Sequence, residues 1–308
     1  MLPGVDVIIV NWNTAPLLER CLASLYAGLG AHPVEVCVVD NGSTDASLGL
    51  LSSSYPRVRV ISNSKNLGFA AANNQGIKAT NSPYVLLLNS DAFLREGVID
   101  RLVSRMENEP DTGAIGCQLL YEDGTLQRSC YSYPDLLTEL WSALMLDKAF
   151  PRSRVFGKYL MTYWAMDDDR EVDVIMGAVM LLRREALDRV GILDESFFMY
   201  SEEVDLCYRL KRNGWKIRYD PTVRAVHIWG GTARKVPAET MVRLYRSRTQ
   251  FFRKHYGIVP AALYKGLLYL VSLIRIVGGY LAFGMMGRKP LLDKARNYRQ
   301  VFSRVWSF

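Results

Sequence analysis

A doubly wound α/β fold, a mostly parallel sheet flanked by helices, is what this sequence predicts, and three observations predict it. The first is a series of short apolar runs rich in β-branched residues, the signature of strands buried on both faces. The second is that segments with helical spacing alternate with those runs, in βαβα order. The third is how the runs end. Val7-Ile8-Ile9-Val10 leads into Asn11, and Val36-Cys37-Val38-Val39 into Asp40. Val58-Arg59-Val60-Ile61 is followed closely by Asn63, and Val85-Leu86-Leu87-Leu88 by Asn89-Ser90-Asp91. Ligands of open α/β sheets sit beyond the carboxyl ends of the strands. One Asn or Asp there is ordinarily a turn residue. The whole set lines one edge with acceptors, as a polyhydroxylated or metal-bound ligand would need.

Each element follows from local cues. Thr14 can cap a helix carrying Leu17, Leu18, Cys21, Leu22 and Leu25, with Pro16 in its first turn. Val34 to Asp40 gives the second strand, and Ser43-Thr44-Asp45 opens a second helix. Val58 to Ser62 is the third strand, Gly68 to Ala79 a small-residue helix, and Tyr84 to Leu88 the fourth strand, before a helix near Glu96 to Glu109. Residues 122–172 are irregular and aromatic, with an acidic knot at Asp167-Asp168-Asp169. They suit a mobile cover over a substrate or an ordinary connection. Regularity returns over Val172 to Leu182, broken by Gly177, then in helices at 185–190 and 201–213 and a strand near Trp215 to Tyr219. A basic helix, 238–256, leads into an apolar tail. The expected division is an α/β domain over 1–235 and a helical region over 236–308.

Composition narrows the classes. At 49% hydrophobic and 22% charged, the 308 residues make a globular protein, not a disordered one. Five scattered cysteines with no CxxC point to free thiols in a reducing compartment. With the first strand beginning almost at once, no signal peptide is expected and the body should be cytoplasmic. No GxGxxG, GxxxxGK[ST] or GxSxG occurs, which removes the main support for dinucleotide, P-loop and α/β-hydrolase chemistry. Net charge is +7, unevenly spread: from Arg224 onward 16 Lys/Arg face only Glu239 and Asp293, a balance of +14, and the rest carries −7. Such a tail seeks a polyanion.

Three constellations carry chemistry. Asn89-Ser90-Asp91 holds a carboxylate rigidly at the sheet edge, suited to a divalent cation that takes its other ligands from phosphate and water. In Glu202-Glu203-Val204-Asp205, Glu202 and Asp205 share a helix face, and Asp205 stands four residues before Arg209. Glu203 points towards Leu206, Cys207 and Leu210, where desolvation would raise its pKa towards that of a useful base. An acidic helix start favoured by the dipole is the plainer account. His227, one of three histidines, precedes Gly230-Gly231 and Arg234. A lone histidine is more often structural, though a glycine pair lets backbone approach a ligand.

Taken together, VIIVNWNT, VVDNGSTD, NLGFAAANNQGI, LLLNSDAFL, GAVMLLRREAL, GILDESFFMYSEEVDLCYRL and VHIWGG resemble the family-2 glycosyltransferases of the GT-A fold, in particular the bacterial rhamnosyltransferase-like branch. These segments run in order from the start to about residue 256. The resemblance implies an inverting transfer from a nucleotide-diphosphate sugar to a glycan or polyprenyl-linked acceptor of surface polysaccharide. It implies that Asp40 contacts the nucleobase or ribose, with Asn11 beside it and the Asn66 to Asn73 loop flanking. Asn89 and Asp91 take the DxD-type position and meet the donor diphosphate through Mg²⁺ or Mn²⁺, Asp91 as ligand, His227 near it. Glu203 matches the catalytic base; as Glu where the family has Asp it is one methylene longer, so Glu202 stays in play. Gly177 and Ala178 are expected on the acceptor side. A catalytically silent saccharide- or lipid-binding module on the same fold is the alternative.

The tail lies outside these motifs. Residues 266–287 hold ten Leu, Ile, Val and Phe and one charge, Arg275. The ten favour insertion by roughly 3 to 6 kcal/mol and a central Arg costs about 2.5 to 3.5, too close for a clear span. Flanking cations favour helices lying among the headgroups of an anionic membrane, on its cytoplasmic face. A span or a soluble helical cap are the other arrangements. Nucleic acid is disfavoured because the tail is as apolar as it is basic.

Overall fold

The computed structural model describes residues 2–228, 237–287 and 289–308. They fall into two compact units. An α/β unit takes the chain up to Tyr133, Trp164–Phe198, and the stretch from Glu202 through Ile228. A helical unit takes Pro134–Tyr163, Met199–Ser201, and the chain from Pro237 to Phe308.

The α/β unit begins with β1 (Val5–Asn11), α1 (Ala15–Ala27), β2 (Val34–Asp40), α2 (Ser47–Ser54), β3 (Arg59–Ser62), α3 (Phe69–Lys78) and β4 (Tyr84–Asn89). A short β5 (Ala92–Leu94), α4 (Val98–Asn108), β6 (Thr112–Leu120), β7 (Leu126–Gln127) and β8 (Cys130–Tyr131) follow. The helical unit contributes α5 (Leu136–Ala143) and α6 (Leu146–Ala149). The α/β unit resumes with β9 (Arg170–Glu171), β10 (Val174–Ile175), β11 (Val179–Arg183), α7 (Arg184–Val190), α8 (Glu202–Arg212) and β12 (Lys216–His227). Ten strands form one sheet, ordered β3-β2-β1-β4-β11-β6-β12-β5, with β7 on β6 and β9 on β12.

Register places the site. Within the parallel group, Asn11 lies opposite Asp40, Asp40 opposite Ser62, and Val10 opposite Asn89, so the strands end together along one edge. β11 runs antiparallel to both β4 and β6, so its start, just after Gly177-Ala178, lies at that same edge. β12 is parallel to β6 and delivers His227 there too. The runs that predict β1, β2 and β4 are buried on both faces, as expected. β3 is the exception: as an edge strand it is largely exposed and carries Arg59 paired with Glu35.

The expected mostly parallel sheet with flanking helices is present, and three features add to it. β5 is too short to signal. β6 carries two glycines that dilute its β-branched pattern. β12 runs on well past Tyr219 although Pro221 lies inside it; its register with β6 shifts between Asp220 and Arg224, a bulge that accommodates the missing donor. That extension is what brings His227 to the edge. A buried ion pair ties the far end together: Asp6 accepts from Arg184 at 2.9 Å and from Ser82 N and Oγ at 2.7 Å each.

The helical unit adds α9 (Pro237–His255), α10 (Ile258–Met286) and α11 (Lys289–Arg304). Phe252, Ala261, Tyr264, Leu268 and Val305 form its core, Phe252 stacking on Tyr264 at 4.7 Å. Buried Glu139 pairs with Arg248 at 2.8 Å, and Arg248 also donates to Tyr159 Oη at 2.6 Å. Residues 134–163, expected to be irregular, contribute α5 and α6 to this unit, while 150–163 are turns as expected.

Candidate active site

The first group at the edge joins β1 to β2. Asn11 Nδ2 donates to Asp40 Oδ2 at 2.9 Å and to Ser43 Oγ at 3.1 Å, while Ser43 N donates to Asp40 Oδ1 at 2.9 Å. Thr14 Oγ1 donates to Asn11 Oδ1 at 2.7 Å and lies 3.0 Å from Ser90 Oγ, reaching the Asn89–Asp91 turn. Asn11 and Asp40 are both fully buried, with their polar atoms committed to these bonds. Asn13 takes a positive φ of 55° and accepts from Thr44 N at 2.7 Å, closing the two loops on each other.

A second group shapes the loop before α3. Asn41 Oδ1 accepts from Leu67 N and Asn63 Nδ2, and its Nδ2 donates to Asn66 Oδ1 and the Gly68 carbonyl. Gly68 has φ of 95°, and a Cβ there would lie 2.5 Å from the Phe198 carbonyl oxygen, so only glycine fits. Asn66 Oδ1 also accepts from Gly68 N, whereas Asn73, buried, donates to the Phe69 carbonyl one turn back. Asn66 and Asn73 thus build the loop and helix that flank the edge.

A third group is different in kind, because its atoms are not all spent on the protein. His227 lies opposite Ala92 of β5, its ring almost wholly buried. Nδ1 is 2.7 Å from Gln127 Oε1, and Gln127 Nε2 donates to the His227 carbonyl at 3.4 Å. An amide oxygen accepts, so Nδ1 carries the hydrogen and Nε2 presents a lone pair. That lone pair faces Asp91 Oδ1 at 3.2 Å and lies 3.4 Å from Asn89 Nδ2. The Asn89 amide can donate to Nε2, and a positive centre between Nε2 and Asp91, a ring proton or a cation, would join the two. Asn89 Oδ1, meanwhile, is buried without a partner, at a cost of about 1–3 kcal/mol. A carboxylate, an amide oxygen and an imidazole nitrogen fit a divalent cation that draws further ligands from outside the chain. No cluster of three His, Cys, Asp or Glu occurs among the described residues. Gly230, Gly231 and Arg234 lie outside the described residues.

The fourth group is the carboxyl pair. Tyr200 and Ser201 both hold positive φ, 70° and 65°, directly before α8, a local strain of the kind found at functional sites. Glu202 is buried and its Oε2 has no partner. Burial first, and the neighbouring Glu203 charge second, push its pKa well above the usual carboxylate range. Glu203 is less buried as a residue, although its Oε2 is sealed from solvent as well, so burial acts on both carboxyls and most strongly on Glu202. Gly177 makes room beside Glu203: a Cβ there would lie 3.8 Å from Glu203 Cβ and 3.7 Å from the Phe69 ring. The next carbonyl, of Ala178, accepts from Asn89 N at 2.9 Å. Gly177-Ala178 thereby links the carboxyl pair to the Asn89–Asp91 turn. Asp205 does pair with Arg209, at 2.8 Å, and Arg209 donates to the carbonyls of Val190, Gly191 and Ile192, fixing the helix start.

A sugar-nucleotide enzyme would need these elements, and comparison with known proteins decides the matter. Residues 6–191 match the model of glycosyl transferase family 2. The chain belongs to that family. This glycosyltransferase is 31% identical over 265 residues to the N-acetylglucosaminyl-diphospho-decaprenol L-rhamnosyltransferase of Mycobacterium tuberculosis H37Rv, covering 82% of this chain and 85% of that one. It is 27% identical over 231 residues to the low-salt glycan biosynthesis hexosyltransferase Agl10 of Haloferax volcanii, 74% and 68% of the two chains. Its GT-A fold is shared with the mannosyltransferase PcManGT of Pyrobaculum calidifontis, solved with GDP-Man and Mn²⁺: TM-score 0.53, 18% identity, 99% of this chain and 88% of that one. It is shared also with GalNAc-T7, solved with UDP, GalNAc and Mn²⁺: TM-score 0.59, 15% identity, 99% and 56%.

Gln127 is the residue that sequence reasoning missed. It lies in the stretch read as irregular, and only the pairing of β7 with β6 brings it to His227. Nothing local to Leu126-Gln127-Arg128 signals it.

Proposed function

We propose that this glycosyltransferase is inverting and metal-dependent, and moves rhamnose or a similar sugar from a nucleotide-diphosphate donor to a polyprenyl-linked or glycan acceptor. The observation that carries the proposal is the unequal carboxyl pair beside Gly177, linked through Ala178 to the Asn89–Asp91–His227 group. Burial and the neighbouring carboxylate favour the protonated form of Glu202, which cannot then accept a proton, so the accepting role is assigned to the less buried Glu203. Glu203 takes the proton of the acceptor hydroxyl as that oxygen attacks the anomeric carbon. The bond from that carbon to the diphosphate breaks as the glycosidic bond forms, and the nucleoside diphosphate leaves. One displacement inverts the centre and leaves no sugar on the enzyme.

Asp91, His227 Nε2 and Asn89 Oδ1 would hold Mg²⁺ or Mn²⁺. When bound there, the ion supplies positive charge against the charge that grows on the leaving diphosphate. Gln127 holds the His227 ring so that Nε2, not Nδ1, faces the site. Asp40, held by Asn11 Nδ2 and Ser43 N and with lone pairs to spare, contacts the nucleobase or ribose, with Asn11 beside it and the Asn66 to Asn73 loop flanking. Gly177 and Ala178 form the acceptor side. The mycobacterial relative's name specifies rhamnosyl transfer to a diphospho-decaprenol, which supports both the sugar and the acceptor class. Such an acceptor places the reaction on the cytoplasmic face of a membrane, with catalysis in residues 1–235 and attachment in 236–308.

The test is a panel of nucleotide sugars offered to the purified chain with a polyprenyl-diphosphate-linked N-acetylglucosamine. Released nucleoside diphosphate identifies the donor, and the anomeric configuration of the product reports inversion. Folded protein that binds nucleotide but releases no diphosphate from any donor is a silent module, and retention of configuration removes the single-displacement mechanism.

A further inference from the structure

A helix on the surface of a water-soluble protein buries its apolar stripe and shows charge to solvent. α10 does the reverse. Its 29 residues span about 43 Å at 1.5 Å each. Leu263, Leu270, Ile274, Val277, Leu281 and Met285 recur at helical spacing along its outer face, all exposed. Only 11% of its most apolar stretch is buried. Its two cations are both turned inward. Lys265 Nζ donates to the Phe308 main-chain oxygen, and Arg275 donates to the Ala143 carbonyl at 3.3 Å while lying over the Tyr298 ring. The exposed face of α10 therefore carries no charge at all.

α11 lies antiparallel against it. Ala295 packs at Gly279, whose own Cβ position would be 2.8 Å away, Tyr298 meets Arg275, and Phe302 stacks on Tyr269 at 4.4 Å. The outer side of α11 is basic: Lys289, Lys294, Arg296, Arg299 and Arg304 are exposed against one acid, Asp293. An apolar face rimmed by cations is complementary to one environment, the boundary between anionic headgroups and acyl chains.

Resting on the lipid-linked acceptor just proposed, we propose that α10 lies in the plane of an anionic bilayer, its outer face among the acyl chains and the cations of α11 among the headgroups. The pairing of the two helices argues against a span. A span centred on α10 would drag Lys294, Arg296 and Arg299 to mid-membrane depth, where one such charge offsets the insertion of about five leucines. A second copy of the chain is the wrong partner, since a two-fold pairing of α10 faces would set the basic rims against each other.

The experiment uses the full chain and vesicles of equal parts phosphatidylglycerol and phosphatidylcholine, with phosphatidylcholine alone as control. The protein should float with the anionic vesicles, at least tenfold less with the neutral ones, and be released by alkaline carbonate. Ile274→Glu with Leu281→Glu alters only exposed side chains, so it should reduce flotation at least tenfold with melting temperature and donor hydrolysis unchanged. A double variant that floats like the parent removes α10 as the contact. A parent that is dimeric where the variant is monomeric makes the face a self-interface, and resistance to carbonate makes the helix a span. The native cysteines are all buried, so environment-sensitive labels on Leu263→Cys and Met285→Cys react selectively. In-plane binding gives both labels equal blue shifts and equal access to an impermeant quencher; protection of one alone overturns it. Flotation needs neither donor nor acceptor, so a chain that floats but transfers nothing overturns the sugar-transfer proposal alone.

Discussion

Glu203→Gln keeps the shape of the side chain and removes its capacity to take a proton. General-base assistance contributes about 10²–10⁴ in rate, about 2.7–5.5 kcal/mol of barrier. Turnover should fall by at least the lower figure, while donor binding, measured by calorimetry, stays near that of the parent. Glu202→Gln should behave oppositely, because Gln resembles the protonated carboxyl that burial already imposes. Its turnover should stay within about threefold of the parent if the proton transfer belongs to Glu203. The pair also leaves a mark on stability. The folded-state pKa of Glu202 lies above its ordinary value of 4.5, so the native chain holds a proton that the unfolded chain gives up. That contribution is complete below pH 4.5 and is lost as pH rises through the folded value. Gln has no such slope, so the melting temperature of Glu202→Gln should gain on the parent steadily as pH rises from 4.5. An active Glu203→Gln with a dead Glu202→Gln reverses the assignment. Parallel pH–stability curves would refute the buried neutral carboxyl itself.

Three further predictions follow from other groups. Nucleoside-diphosphate binding should weaken sharply in chelator and recover with Mg²⁺ or Mn²⁺, and Asp91→Asn should abolish most of that dependence; full activity in excess chelator rules the metal out. Gln127→Leu should raise the Mg²⁺ needed for half-maximal activity about 10- to 100-fold by freeing the His227 ring, and an unchanged requirement would show that the ring needs no such support. Arg184→Met leaves Asp6 buried without its cation and should cost about 3–5 kcal/mol in urea unfolding with little change in m-value. A loss under about 1 kcal/mol would mean that Ser82 alone satisfies Asp6.

The parallel half of the sheet was legible because burial on both faces leaves a plain trace, as in VDVIIVN and YVLLLN. The rest was legible only in part: β11 and the start of β12 were read, while β6 and the stretch of β12 beyond Pro221 were not. β6 and β12 are stabilised by pairing partners distant in sequence, and their glycines and Pro221 work against any local signal. The same applies to Gln127, whose contact with His227 spans 100 residues. The charges within α10 are a third case. Composition counts Arg275 as a burden on the apolar tail, but its partners, Ala143 and Tyr298, are known only once the helices are packed.

The acceptor-lined edge itself divides along a physical boundary. Asn11 and Asp40 were marked by the same feature as Asn89 and Asp91, polar side chains at strand ends, whereas Asn66 and Asn73 entered through the family resemblance. In the folded chain Asn11, Asp40, Asn66 and Asn73 are satisfied by protein donors and acceptors, and two of them are sealed from solvent altogether. Such bonds hold these side chains in place, and the Asp40 carboxylate keeps further lone pairs that a ligand could engage. Asn89 Oδ1, the Asp91–His227 contact and Glu202 Oε2 are, among the described residues, three of the places where the fold leaves electrostatic demand unmet, and all three lie at the acceptor-lined edge. Folding alone gives no reason to keep such costs. Binding a cation and a diphosphate gives one for Asn89, Asp91 and His227, and keeping one carboxyl neutral beside a reactive one gives one for Glu202. On that basis we propose that the chemistry belongs to the Asn89–Asp91–His227 group and the Glu202–Glu203 pair, with the strand-end residues of β1 and β2 framing the donor pocket.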